Sequence, residues 1–270
     1  MSHEVVASLN GELISEPEAT DLYEFYSEAF DDTAYTTART YHGKLYRIES
    51  HAERVLDSAK TAKIKHKLTK KKIIDITQKT FEKSGFKNAV IKIFLSKEKE
   101  GALFVFLKKL ESLPEHIYTK GVKVLTVNAE RKHPRAKILQ DYSGKSIVGT
   151  RKKGYFEAIL INRNGFATEC TASNLFLVKN KIIYTPKNNI LLGITRDELI
   201  HKMPKHYKFV EKEIHERELF SADEIFVTGT VKEIVPVVKV DEHVIGRGIP
   251  GEISLKLIKD FHLQIKKENF

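Results

Sequence analysis

The chain has 270 residues, 41% of them hydrophobic and 30% charged, with 14 glycines and 7 prolines, which suffices for one large domain or two modest ones and excludes a disordered or low-complexity chain. The single cysteine, Cys170, excludes an internal disulfide and a cysteine-rich zinc site, and no apolar run is long enough for a membrane span or a secretory signal, so a soluble cytoplasmic protein is expected. The formal net charge of +10 is mostly lysine spread over expected surface helices. Without interleaved aromatic residues it reads as a solvated surface and not as a nucleic-acid interface.

Val5 to Leu9 and Glu12 to Ile14 alternate around Asn10-Gly11, which predicts a hairpin. A second hairpin is expected from Tyr35 to Tyr41 and Lys44 to Ile48, turning at His42-Gly43. Ser50 and Glu53 form a candidate capping box, followed by Ala52, Val55, Leu56, Ala59 and Ala62 at helical spacing. A further helix is predicted over Lys70 to Ser84, then strands over Ala89 to Ser96 and Ala102 to Lys108. The aperiodic stretch from Leu110 to Gly121 contains Pro114 and is read as the region joining two domains. Beyond it are expected a strand over Val122 to Val127, a loop with Lys132, Pro134 and Lys137, and a helix from about Leu139 to Lys153.

Strands follow over Glu157 to Ile161, Asn174 to Val178 and Lys181 to Tyr184. Thr195 and Glu198 offer another capping box for a short helix that Pro204 ends. Ile225 to Thr228 and Ile234 to Val240 are strands flanking a small loop, and Pro250-Gly251 starts the last helix. No glycine-rich dinucleotide or P-loop fingerprint, nucleophile elbow or zinc-binding histidine pair is present.

Four pieces invite a chemical reading. Arg54, placed early in its helix, suits a phosphate that a guanidinium grips with two hydrogen bonds; such an arginine by itself is more often a surface residue paired with Glu53 or Asp57. Leu192-Gly193-Ile194-Thr195 would expose backbone N–H groups at a helix start, an anion site that any capped helix also offers. Val227-Thr228-Gly229-Thr230-Val231 places small polar residues between two strands, which suits an anion and also suits an ordinary loop. Lys137 lies between a proline-containing loop and a helix; a desolvated lysine forms a Schiff base readily, but position alone does not single it out among 46 Lys and Arg residues.

These pieces follow one another in the order found in class IV aminotransferases, the fold-type IV pyridoxal 5′-phosphate enzymes. Ala38 to Ala59, with its His51-x-x-Arg54 pattern, resembles the family's hairpin and following helix. Gly154 to Leu160, Gly165-Phe-Ala-Thr-Glu169 and Ser173-Asn-Leu-Phe176 resemble its most specific block. Thr185-Pro186, Leu192-Gly-Ile-Thr-Arg196 and Ala222 to Thr230 continue the resemblance through Pro236-Val237.

The resemblance implies a two-domain α+β fold like that of D-amino-acid aminotransferase. A small α+β domain would occupy residues 1–113, a linker 114–121 and a larger pseudo-barrel domain 122–270. It implies a homodimer and amino-acid and 2-oxo-acid substrates; with no metal-binding pattern, no nucleic-acid signature and no membrane span, no metal, nucleic-acid or membrane partner is expected. Lys137 would carry the cofactor as a Schiff base, with Arg54, Ile194, Thr195 and Thr230 on its phosphate. Glu169 would meet the pyridine nitrogen and Tyr142 the ring oxygen. Tyr35, Thr37, Lys92, Lys97, Thr230 and Val231 would bound the substrate.

Val90-Ile91-Lys92 and Ser96-Lys97-Glu98 stand where branched-chain and D-amino-acid transaminases, respectively, carry a carboxylate-binding arginine. The leading expectation is transamination of a branched-chain or other apolar L-amino acid with 2-oxoglutarate. Tyr35-Thr-Thr-Ala-Arg39 and Thr168-Glu-Cys170 also resemble aminodeoxychorismate lyase, which forms 4-aminobenzoate and pyruvate. D-amino-acid transamination is the third reading.

Overall fold

A computed structural model describes residues 5–28, 32–139, 154–203 and 205–268. The helix expected beyond Leu139, and with it Tyr142, lies outside the described residues. The chain divides into two compact units. One takes the described residues of Met1–Glu111 and Arg135–Asp141, the other those of Ser112–Pro134 and Tyr142–Glu268.

The first unit is built on a six-stranded antiparallel sheet in the order β2-β1-β6-β5-β3-β4. Its strands are β1 (Val6–Leu9), β2 (Glu12–Leu13), β3 (Ala34–Tyr41), β4 (Lys44–Leu45), β5 (Ala89–Ser96) and β6 (Ala102–Lys109). Both short hairpins form as expected, with left-handed backbone at Asn10 and His42 followed by Gly11 and Gly43. Helices α2 (Ile48–Thr61) and α3 (Lys70–Ser84) bury Ala52, Val55, Ile73 and Ile76 against Ile91, Ile93, Val105 and Leu107 on one sheet face. Helix α1 (Glu16–Glu28) lays Ala19 and Tyr26 against Phe94, Phe104 and Phe106 on the other. Side chains alternate across a pleated sheet, so one strand serves both cores.

Helix α2 does not begin at the expected Ser50 capping box. It starts at Ile48, after Arg47 in left-handed conformation, with no side-chain cap. Ile48 is buried in the core, and burying it outweighs a solvent-facing cap. Ile48 is therefore helical and not the end of β4, and Arg54 sits in the second turn, where the dipole argument for an anion loses force.

The second unit carries a ten-stranded mixed sheet in the order β12-β11-β10-β14-β15-β7-β8-β9-β13, with β16 on β15. Its strands are β7 (Val122–Asn128), β8 (Glu157–Ile161), β9 (Phe166–Cys170), β10 (Asn174–Lys179), β11 (Ile182–Pro186), β12 (Lys208–Lys212), β13 (Ile214–His215), β14 (Glu224–Gly229), β15 (Glu233–Val240) and β16 (His243–Val244). β9 lies far from β10 and β11 along the pairing order and still contacts both, so the sheet curls into a half-barrel. Val124, Ile159, Leu175, Val227 and Val235 fill its interior.

Helices α4 (His116–Thr119), α5 (Ile194–Lys202), α6 (Glu216–Phe220) and α7 (Glu252–Glu268) complete the unit. The short α4 stands where sequence periodicity is absent; Ile117 and Tyr118 attach it to this core. β9, β12, β13, β16 and α6 are also absent from the sequence reading, because elements of two to five residues carry too little periodicity; α1 is absent from it as well, although Ala19, Leu22, Tyr23 and Tyr26 recur at helical spacing and pack into the core. Among the described residues no helix is long and apolar enough to cross a membrane, and no acidic, histidine or cysteine cluster is arranged to hold a metal.

Candidate active site

In the first unit Lys137 is held by its backbone. Its N–H donates to Ser58 Oγ at 2.9 Å, its carbonyl accepts from Tyr35 N at 2.9 Å, and Ile138 bridges to Ala34. The Lys137 ammonium lies 4.8 Å from the centroid of the Tyr35 ring, which stacks on Phe94. This lysine is thereby tied to β3 and to the same helix, α2, that carries Arg54.

His51, one turn before Arg54, is buried and shares a 2.8 Å hydrogen bond between Nδ1 and Thr36 Oγ1. Its Nε2 has no hydrogen-bond partner among the described residues. Burial above all, and then the positive charges of Arg54 and Lys137, hold the His51 pKa well below its ordinary value, so the ring is neutral at pH 7.

Strand β3 alternates strictly, placing Tyr35, Thr37 and Arg39 on the face away from α2. Lys92 on β5 pairs in register with Thr37, and its ammonium lies 4.2 Å from the centroid of Tyr23. Lys108 approaches the same ring at 4.8 Å. Tyr35, Thr37 and Lys92 thus share one sheet face. Lys97 instead pairs with Asp32 at 2.5 Å and borders a basic cavity with Lys63, Lys65, His66 and Lys67.

In the second unit Glu169 sits on β9, 2% exposed. The Arg131 Nε, itself buried, lies 2.6 Å from Glu169 Oε1, and Leu191 N–H donates to both carboxylate oxygens at 3.3 Å. Leu191 is held from its other side by Asn174, whose Nδ2 donates to the Leu191 carbonyl at 2.7 Å. One chain of contacts therefore runs from Glu169 through Leu191 to the start of α5. Arg131 is missing from the sequence reading because it lies on a loop with no motif of its own. Next to Glu169, the thiol of Cys170 is pushed far up by burial and by that carboxylate, which leaves it unreactive.

Helix α5 begins at Ile194 after Gly193 in extended conformation, without a side-chain cap. Thr195 is inside the helix and does not cap it, contrary to the expected capping box. A Cβ on Gly193 would stand 1.9 Å from Asn174 Oδ1, and Asn174 is locked to Leu191, so only glycine lets the chain turn into the helix so close to β10. Arg196 fixes the helix from below: its Nη2 donates to the Pro186 carbonyl at 3.0 Å and to Glu211, whose carboxyl this bond holds below the usual range.

Asn174 pairs in register with Thr228 on β14. The Thr228 hydroxyl is buried and has no partner among the described residues. The loop Thr230–Lys232 follows, closed by the Gly229–Glu233 pair. An uncapped helix start and an orphaned buried hydroxyl thus lie on either side of Asn174. Both are donors suited to an anion.

A family model described as amino-transferase class IV matches residues 33–240. A putative branched-chain-amino-acid aminotransferase of Methanocaldococcus jannaschii is 31% identical over 94% of each chain. A D-alanine aminotransferase of Staphylococcus aureus is 29% identical over 97% of this chain and 98% of its own. Among solved structures, the branched-chain amino acid aminotransferase of Thermobaculum terrenum in its PLP-bound holo form has a TM-score of 0.81 at 22% identity, covering 98% of this chain and 94% of that one.

Proposed function

This chain belongs to the class IV aminotransferases, and we propose that it transfers the amino group of a branched-chain or other apolar L-amino acid to 2-oxoglutarate with pyridoxal 5′-phosphate as cofactor. The residues suit that group. The carboxylate of Glu169, held ionised by Arg131, is the kind of charged acceptor that a pyridinium N–H requires. The uncapped start of α5 and the orphaned Thr228 hydroxyl suit its phosphate. The observation that most supports the reading is this buried Glu169–Arg131 pair, since an isolated buried carboxylate would protonate and lose its charge.

Arg54, the Ile194 and Thr195 N–H groups and the Thr230 hydroxyl are assigned to the phosphate, and Lys137 to covalent attachment. Tyr142 keeps its assignment to the ring oxygen on the family resemblance alone. When bound, the cofactor supplies an electron sink for the substrate's α-carbon. Glu169 would hold the proton on the pyridine nitrogen. The Lys137 amine would carry the proton from the substrate α-carbon to the cofactor's C4′ carbon, and in the opposite direction in the second half-reaction. His51, neutral at pH 7, adds no charge beside that amine.

Tyr35 and Thr37 wall the substrate side chain. Of the two lysines considered for the substrate carboxylate, Lys92 shares their face, whereas Lys97 is engaged with Asp32. The N–H groups at Thr230 and Val231 are the second carboxylate contact. The proposed assembly is a homodimer, on the family resemblance, and sedimentation of a monomer at micromolar concentration would overturn it.

Supplying L-leucine and 2-oxoglutarate to the cofactor-loaded protein is expected to yield 4-methyl-2-oxopentanoate and glutamate. D-alanine is the competing donor, because the match to the Staphylococcus aureus D-alanine aminotransferase covers 97% of this chain. Turnover of D-alanine with L-leucine untouched would reverse the assignment, and 4-aminobenzoate released from aminodeoxychorismate would make the protein a lyase. Lys137→Ala is expected to abolish turnover and to leave no cofactor fixed to the chain after borohydride reduction. Borohydride fixation surviving in that variant refutes the choice of lysine.

A further inference from the structure

The loop joining β14 to β15 is anchored more firmly than a surface turn of its length requires. Lys232, its last residue, sends its ammonium inward to the carboxylate of Glu157. The Lys232 side chain is 14% exposed and that of Glu157 2%. The ammonium also lies 5.2 Å from the Phe156 ring centroid, and the Lys232 carbonyl accepts from Tyr118 Oη at 3.2 Å. Glu233 follows in left-handed conformation, which is unfavourable for a non-glycine residue, and its carboxylate is held by His262 Nε2 at 2.6 Å.

Glu157 also accepts from Ser173 Oγ at 2.8 Å and from Ala172 N at 3.1 Å. Both donors lie in the turn that immediately follows Glu169 on β9. A single buried carboxylate therefore ties the turn behind Glu169 to the loop bearing Thr230 and Val231. Gly229 closes the same junction, since a Cβ there would lie 3.3 Å from the Ala172 carbonyl.

Burying an ammonium and a carboxylate costs each its hydration. Such a pair typically stabilises a fold no better than apolar residues of the same shape, but it does hold its two segments in one register. We propose that Lys232, through its buried ion pair with Glu157, is a positioning residue that sets the Thr230–Val231 loop where its hydroxyl and N–H groups meet the cofactor phosphate and the substrate carboxylate. The assignment rests on the reading that this loop binds those anions. The role assigned to Lys232 is indirect, since its ammonium is engaged by the Glu157 carboxylate.

Lys232→Met keeps the apolar stem and removes the charge. It is expected to raise KM for L-leucine and for 2-oxoglutarate roughly tenfold or more, since small displacements of a positioning group cost up to about a hundredfold. Titration of the cofactor-free variant with pyridoxal 5′-phosphate is expected to give a weakened Kd, a readout independent of turnover. Lys232→Arg is expected to recover part of both. The double variant Glu157→Gln/Lys232→Met removes the orphaned charge. It is expected to regain most of the thermal stability lost in Lys232→Met while KM and Kd stay raised. Recovery of KM and Kd together with stability would reduce Lys232 to a structural role, as would unchanged KM and Kd in Lys232→Met. If Lys232→Met does not fold, the arginine and double variants decide the matter alone. Thr230→Val tests the premise separately: unchanged Kd and KM there remove the loop from the anion site, whatever Lys232 does.

Discussion

Glu169 shows how a residue's meaning depends on its neighbours. In the sequence it is one carboxylate among 36 acidic residues; in the fold it is buried beside Arg131 at 2.6 Å. Arg131→Met is expected to remove the cation beside that buried carboxylate, destabilising the protein by up to roughly 3–5 kcal/mol and weakening cofactor affinity. Urea denaturation and cofactor titration measure the two effects. His51 yields a pH prediction. Its folded pKa lies well below the ordinary 6.5, so below that value the unfolded chain binds a proton that the folded chain refuses. Stability is therefore complete above about pH 6.5 and falls as pH drops from there toward the folded pKa. Urea midpoints between pH 7 and 5 are expected to fall more steeply in the wild type than in His51→Gln. Equal slopes would remove His51 as the cause.

At the level of elements, most long periodic segments are read from the sequence and the short ones are not; α1 is the exception, a thirteen-residue helix missing from the sequence reading. β5, β6 and α3 have the extents expected from alternation and helical spacing, or lie within a residue of them. Both capping boxes expected at Ser50 and Thr195 are absent, because the chain enters α2 and α5 through Arg47 and Gly193. A cap contributes about 1 kcal/mol, less than burying Ile48 or seating α5 against β10 and β14. β9, which carries Glu169, escapes sequence reading because its five residues are nearly all buried and show no alternation. Gly193→Ala is expected to push α5 off Asn174, costing about 1–3 kcal/mol and weakening cofactor affinity. An unchanged melting temperature and an unchanged Kd would show that Asn174 can yield.

At the level of the whole molecule, the two units have separate hydrophobic clusters with no residue in common. Ile93→Ala in the first unit is expected to cost about 2–5 kcal/mol. Urea denaturation measures the loss, and an unchanged midpoint would remove Ile93 from the packed core. Hydrophobic period and the order of motifs are local properties of the chain. The mixed α+β class, the strand-rich character and the family can therefore be read without coordinates. The side chains that flank Glu169, the pinning of Lys137 to Ser58 and Tyr35, and the reach of Lys232 to Glu157 emerge from the fold alone. Those contacts join residues far apart in the chain. Their partners are chosen by where the sheets bring the backbone, which no spacing along the sequence encodes.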